Sequence, residues 1–115
     1  MKLIFLILFT LALLSANHIS WLGNYDKALE IAKKEHKPLM VLLVKKDCKK
    51  CANVIRDNFT NRAEVDILNR EYIAVIVTYE SKESYPIEAL YSTTFPTLFF
   101  IDSKSELLLK EPIYY

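Results

Sequence analysis

Two cysteines three residues apart, Cys48-Lys49-Lys50-Cys51, stand where an apolar run hands over to a helical pattern, and this junction constrains the chain more than any other feature. Residues 38–44 (Pro-Leu-Met-Val-Leu-Leu-Val) are continuous, apolar and of strand length, as expected of a strand buried on both faces. Beyond the cysteines, Ala52, Ile55 and Phe59 recur at helical spacing. With Cys48 as N-cap and Cys51 as the third helical residue, the two side chains face one another. Such a pair can close a disulfide without moving the backbone, and the Cys48 sulfur can accept from free amides of the first turn. Cys48 is therefore the expected thiolate.

The surrounding charge acts in the same direction. Lys45, Lys46, Lys49 and Lys50 surround a single acid, Asp47, at the positive end of the helix, where a thiolate is favoured. Exposed charge pairs contribute about 0.2–1 kcal/mol each, so the lysines together are expected to lower the Cys48 pKa by about one unit beyond the helix effect. Asp47 opposes part of this. Read blandly, the same lysines are a solvated surface run.

The chain begins with Lys2, an apolar stretch over residues 3–14, and then Ser15-Ala16, the three-part form of a secretory signal peptide over residues 1–16. It is too short to span a bilayer comfortably. Leu14 is bulky at the third position before the cut, so an uncleaved N-terminal anchor is the alternative. No cysteine lies near the cut, which argues against a lipoprotein. Removing these 16 of 115 residues leaves 99, with 14 basic and 14 acidic side chains. One small domain over residues 17–115 follows, and its balanced charge indicates neither nucleic acid nor anionic membrane as partner.

An exported domain with two cysteines ordinarily carries one structural disulfide. A bridge across two intervening residues closes almost no loop, however, so it suits exchange better than stapling.

The other elements follow in order. Trp21 in the lead-in is expected to pack on the domain edge. Asn24 caps an amphipathic helix with Tyr25, Ala28, Leu29, Ile31 and Ala32 on its apolar stripe, ending near His36 before Pro38. His36 reads as a favourable terminal charge, and His18 has no evident partner. Asn61 and Glu64 resemble a capping box for a helix over residues 62–69. Residues 72–79 read as a second buried strand, which makes a parallel βαβ unit with the first. A polar loop over 80–84 leads to a short helix over 87–91, then to a turn at Phe95-Pro96-Thr97 entering a third strand that ends at Asp102. A fourth strand over 106–109 would close an antiparallel hairpin. Asn58-Phe59-Thr60 matches a glycosylation acceptor but falls inside a predicted helix. With Gly23 the only glycine, a phosphate cradle is close to excluded, and no metal-spaced cluster is present.

An export segment, a helix, a buried strand, a Cys-x-x-Cys at a helix start, a second strand, and Phe95-Pro96-Thr97 opening a hairpin together resemble the thioredoxin superfamily. More narrowly, Lys37-Pro38-Leu39-Met40-Val41 before the cysteines resembles the exported thioredoxin-like proteins of bacteria. The resemblance implies an α/β, three-layer fold with a central mixed sheet of about four strands flanked by helices, here lacking the usual C-terminal helix. It implies a thiol–disulfide oxidoreductase working without an organic cofactor, with Cys48 as nucleophile and Cys51 as resolving cysteine. It assigns substrate binding to Phe95, Pro96 and Thr97, with Pro96 as the family's cis-proline, and tuning of the couple to Asp47, Lys49 and Lys50. Protein thiols and disulfides are the implied substrates, a membrane thiol–disulfide transducer an implied electron source, and the periplasm the implied location, with secretion or membrane tethering as alternatives. No oligomeric state is indicated.

Three departures stand out. Asp47 replaces the family's common tryptophan, Lys49-Lys50 replaces glycine-proline, and the buried acid of many thioredoxins falls on Leu42. The usual last helix is also absent, so one sheet face is expected to be partly bare, in a truncated chain or in a domain that hides this face against itself or a partner. The expected direction of exchange is that of a reductase or isomerase. The competing readings are a Cu(I)- or Zn(II)-binding module using both thiolates, and a non-catalytic thioredoxin-like binding domain.

Overall fold

The computed structural model describes residues 18–81 and 84–115, so the expected export segment over 1–16 lies outside the described residues. The elements are α1 (Tyr25–Glu35), β1 (Leu39–Val44), α2 (Lys49–Asn58), α3 (Arg62–Glu71), β2 (Ile73–Thr78), β3 (Thr97–Ile101) and β4 (Ile113–Tyr114). Sheet order is β2-β1-β3-β4. β1 runs parallel to β2, in register Leu39↔Ile73 through Val44↔Thr78, and antiparallel to β3, from Leu39↔Ile101 to Leu43↔Thr97. The expected mixed four-stranded sheet with flanking helices is therefore present.

The continuous apolar run of β1 has its physical reason in the two cores it divides. Leu39, Val41 and Leu43 point to one side, where Tyr25, Ala28 and Ala32 of α1 meet Val75, Val77, Phe99 and Ile101. Met40 and Leu42 point to the other, against Phe59, Val65, Ala74, Leu98 and Phe100. A strand at the centre of three layers cannot alternate apolar with polar residues, because neither face meets water.

The helices begin where local chemistry allows. The Asn24 side chain accepts from the Lys27 amide at 2.9 Å, and the Asn61 side chain from the Glu64 amide at 3.1 Å. α1 ends with His36 in the left-handed region (φ 56°), followed by a Lys37 amide bond to the Ala32 carbonyl. Glycine usually takes that place. In a chain whose one glycine is Gly23, His36, Asp47, Glu80 and Glu106 all take positive φ instead. At the outer edge of the sheet Leu22 bridges β2 through bonds with Ala74 and Ile76, and Trp21 meets Phe59 edge to face at 5.4 Å.

Two expected elements differ. Residues 87–91 make a single turn closed by the Leu90 amide on the Pro86 carbonyl, with Leu90 buried and Ile87 and Tyr91 exposed, so one anchor side chain replaces an apolar stripe. The fourth strand lies at Ile113–Tyr114, paired with Leu98 and Thr97, rather than at 106–109. Residues 107–109 do run beside β3 through the Asp102–Leu107 and Leu109–Phe100 backbone bonds and a bridge from Ile101 to Leu108. Their three side chains are exposed, Leu107 at 65%, because no helix among the described residues covers them. The chain then detours through residues 110–112, where the Lys110 ammonium stands 4.0 Å from the Phe100 ring centroid, before pairing resumes.

The turn before this detour is tied to α1. The Tyr25 hydroxyl, on a fully buried ring, donates to the Glu106 carboxylate at 3.0 Å. Burial first, and the Glu106 contact second, push the Tyr25 pKa well above the usual tyrosine range. The folded state thus holds this proton to higher pH than the unfolded chain does. The contribution is intact below about pH 10 and is lost as pH rises above it. We expect alkaline unfolding to begin there, and Tyr25→Phe to cost about 1 kcal/mol at neutral pH while flattening the alkaline limb, as read by urea titrations at several pH values.

Candidate active site

The cysteines occupy the end of β1 where the chain reverses into α2. Asp47 makes that reversal at φ 54°, a conformation that aspartate tolerates better than most residues, so it has a backbone reason beside its charge. Cys48 follows as the N-cap in extended conformation, and its sulfur accepts from the Cys51 amide at 3.0 Å. The Ala52 amide then closes on the Cys48 carbonyl. Cys51 is the third helical residue, 4% exposed, whereas Cys48 is half-buried. The two are joined as a disulfide, with Cα atoms 5.2 Å apart. One sulfur is thus open to a partner and the other lies behind it.

The β1–β3 register brings a second segment to the same edge of the sheet. Leu43 pairs with Thr97, so Pro96 and Phe95 stand beside the strand end that leads to the cysteines. The Phe95–Pro96 peptide is cis. The turn is braced from within: the Thr97 hydroxyl donates to the Thr94 carbonyl at 2.7 Å, and the Ser92 oxygen lies 2.8 Å from the Thr97 hydroxyl and accepts from the Thr94 amide. Thr97 is fully buried, so its side chain serves the turn; Phe95, half-buried, is the open member of the three. Tyr79 packs on Phe95 with centroids 5.2 Å apart, and the Lys45 ammonium lies over the same ring at 5.8 Å.

The lysines expected to tune Cys48 divide in use. Lys45, Lys46, Lys49 and Lys50 are all exposed, but the Lys50 ammonium donates to the Tyr115 carbonyl at 2.8 Å. Tyr115 in turn bonds through its amide to the Pro96 carbonyl and packs on the second core, as Val44, Val54 and Ile55 also do; burial raises the pKa of its hydroxyl. One residue therefore spans from the proline turn to the cysteine helix. Sequence reasoning missed Tyr115, Ser92 and the Lys45–Phe95 contact. Only Phe95, adjacent to the singled-out Pro96, gave any signal for them.

Leu42, at the position of the family's buried acid, is wholly enclosed by apolar side chains of the second core. The His18 carbonyl accepts from the Asn69 side-chain amide, and His36 caps α1 away from the cysteines. Among the described residues no three His, Cys, Asp or Glu side chains converge as a metal site, and no helix is long and apolar enough to cross a membrane.

A helix-capping Cys-x-x-Cys disulfide on a mixed sheet, beside a proline turn, defines a thioredoxin-like protein. The chain belongs to the Thioredox_DsbH family, described as proteins of unknown function (DUF255), whose family model matches residues 9–99. No curated protein matches. Among solved structures, the chain is similar to a DsbH oxidoreductase at 24% identity and TM-score 0.65, covering 89% of this chain and 76% of the other. It is also similar to a Bacteroides thetaiotaomicron protein, provisionally named a disulphide-isomerase, at 24% identity and TM-score 0.71, covering 87% and 83%. These two likenesses establish the fold.

Proposed function

We propose that this chain is an exported thiol–disulfide oxidoreductase that exchanges protein disulfides through Cys48 and Cys51. The observation that carries the reading is a disulfide with one half-open sulfur at a helix N-terminus and its partner buried behind it, closing a loop of only two intervening residues. Such a bond adds little chain-entropy stabilisation, yet is well placed for attack.

In the reducing direction the Cys48 thiolate attacks a substrate disulfide, forming a mixed disulfide and releasing one substrate thiolate, which takes up a proton. The Cys51 thiolate then attacks the Cys48 sulfur, forming the intramolecular disulfide and releasing the second substrate thiolate. Two electrons pass from protein to substrate, and an external dithiol must restore the pair. The helix N-terminus favours the attacking thiolate. The groups assigned to the incoming polypeptide are the open Phe95 ring and the backbone of the Phe95–Pro96 turn. Reductase or isomerase duty is preferred over oxidase duty; of the two structural relatives, one is named a disulphide-isomerase and the other an oxidoreductase, a name that fits either direction. A membrane thiol–disulfide transducer is the proposed electron source and the periplasm the proposed location, on the strength of the family and of the apolar segment over residues 3–14. Pre-reduced protein should reduce insulin disulfides, and should fail to do so without Cys48.

A further inference from the structure

The charge of this molecule is unevenly placed, and the unevenness is centred on the disulfide. Residues 45–50 carry four lysines and one aspartate, a net charge of +3, while residues 17–115 as a whole sum to zero, so the remainder carries −3. All four ammonium groups are on exposed side chains. Among the described residues the two ion pairs are Lys37–Glu35 and Arg56–Asp57, and neither draws on this set. Asp47 lies within this set, and Glu80 follows β2 where the Tyr79 amide bonds to the Val44 carbonyl.

The lysines also bracket the path that a bound polypeptide would take. Lys45 stands over Phe95, the residue before Pro96, on the side of the proline turn. Lys49 and Lys50 form the first turn of α2 between the two cysteines, and Lys50 is held towards Tyr115 beside that same turn. An extended segment lying between the turn and Cys48 would thus have ammonium groups along both sides of its reacting cysteine.

Resting on the redox reading above, we propose that this patch selects substrates: the preferred partner is a polypeptide whose disulfide is flanked by acidic side chains. Complementary charge acts mainly on encounter and register, raising association rates by roughly 10–1,000-fold where fields are focused, and it is screened by salt. On an open surface the lower end of that range applies. A lowered Cys48 pKa would speed attack on every disulfide alike, whereas steering separates substrates by the charge of their flanks.

The test uses the full chain, pre-reduced, against three synthetic peptides, each with one intramolecular disulfide flanked by two glutamates, two serines or two lysines. Each rate is normalised to that of dithiothreitol, a neutral dithiol. The expected order is glutamate, serine, lysine, with a spread of roughly tenfold at low ionic strength. The spread should collapse at about 1 M salt, where the screening length is about 3 Å, and in the Lys45→Gln/Lys46→Gln/Lys49→Gln variant. Equal rates on all three peptides would overturn the inference and leave the redox reading standing. A spread that survives both high salt and the variant would also overturn it, since the lysine charges would not be its source. With oxidised glutathione as a fourth substrate, a preference for it without one for the glutamate peptide would replace the polypeptide partner with a small anionic disulfide. No turnover of any peptide would remove the redox reading and this inference together.

Discussion

Replacing Cys48 with serine should abolish insulin-disulfide reduction, with a loss on the order of a thousandfold or more, the scale expected when a covalent nucleophile is removed. Replacing Cys51 should have a different consequence. Cys48 is the half-open member of the pair and Cys51 lies 4% exposed behind it, so a Cys51→Ser protein can still attack a substrate but cannot release it. It should accumulate as a mixed disulfide visible on a non-reducing gel and dispersed by dithiothreitol. Neither substitution should unfold the domain, because the bridge spans only two residues and both cores lie elsewhere. Retained turnover in the Cys48→Ser variant, or a trapped mixed disulfide in that variant rather than in Cys51→Ser, would contradict the assignment of roles.

The largest effect on stability is expected at Leu42. Many thioredoxins place an acid there, and restoring it as Leu42→Asp would look like a return to the family pattern. In this chain the side chain is fully buried in a core cluster with Ile19, Met40, Phe59, Val65, Ala74, Leu98 and Phe100. None offers a hydrogen bond through its side chain. A carboxyl in that position is held neutral by burial and even then lacks a partner, so the substitution should cost about 4 kcal/mol or more. Because its folded-state pKa would be raised, the cost should deepen as pH rises above about 4, the unfolded value. Urea midpoints measured at several pH values read this directly. A tolerated aspartate would show that the second core admits water or a polar partner near α2.

The strand at 39–44 was legible because burial on two faces forces an unbroken apolar run, and Asn24, Cys48 and Asn61 were legible as caps because each carries an acceptor before a helical pattern. The pairing of the cysteine turn with Phe95-Pro96-Thr97 came through resemblance; no local property of residues 95–97 indicates it. Leu107-Leu108-Leu109 misled, since three apolar residues in a row mimic a buried strand but here lie exposed along an edge. The strand that does complete the sheet, Ile113–Tyr114, is two residues long and leaves no periodic trace. Tyr115 was invisible for a related reason: its links to Lys50 and Pro96 run through its backbone, which any residue type would offer. Ser92 carries no signal beyond turn composition, although its buried hydroxyl shares the bracing of the proline turn with Thr97.

The central claim is that Cys48 and Cys51 form a working redox couple, and the most direct measurement is the equilibrium of the protein against glutathione buffers of graded potential. Trapping by alkylation and counting the labelled thiols by mass spectrometry gives the oxidised fraction at each potential. The expected result is a reversible two-electron transition in the range of known exchange catalysts, roughly −120 to −270 mV, with the more reducing end favouring reductase duty. A pair that stays oxidised below about −300 mV would behave as a structural bridge and would contradict it.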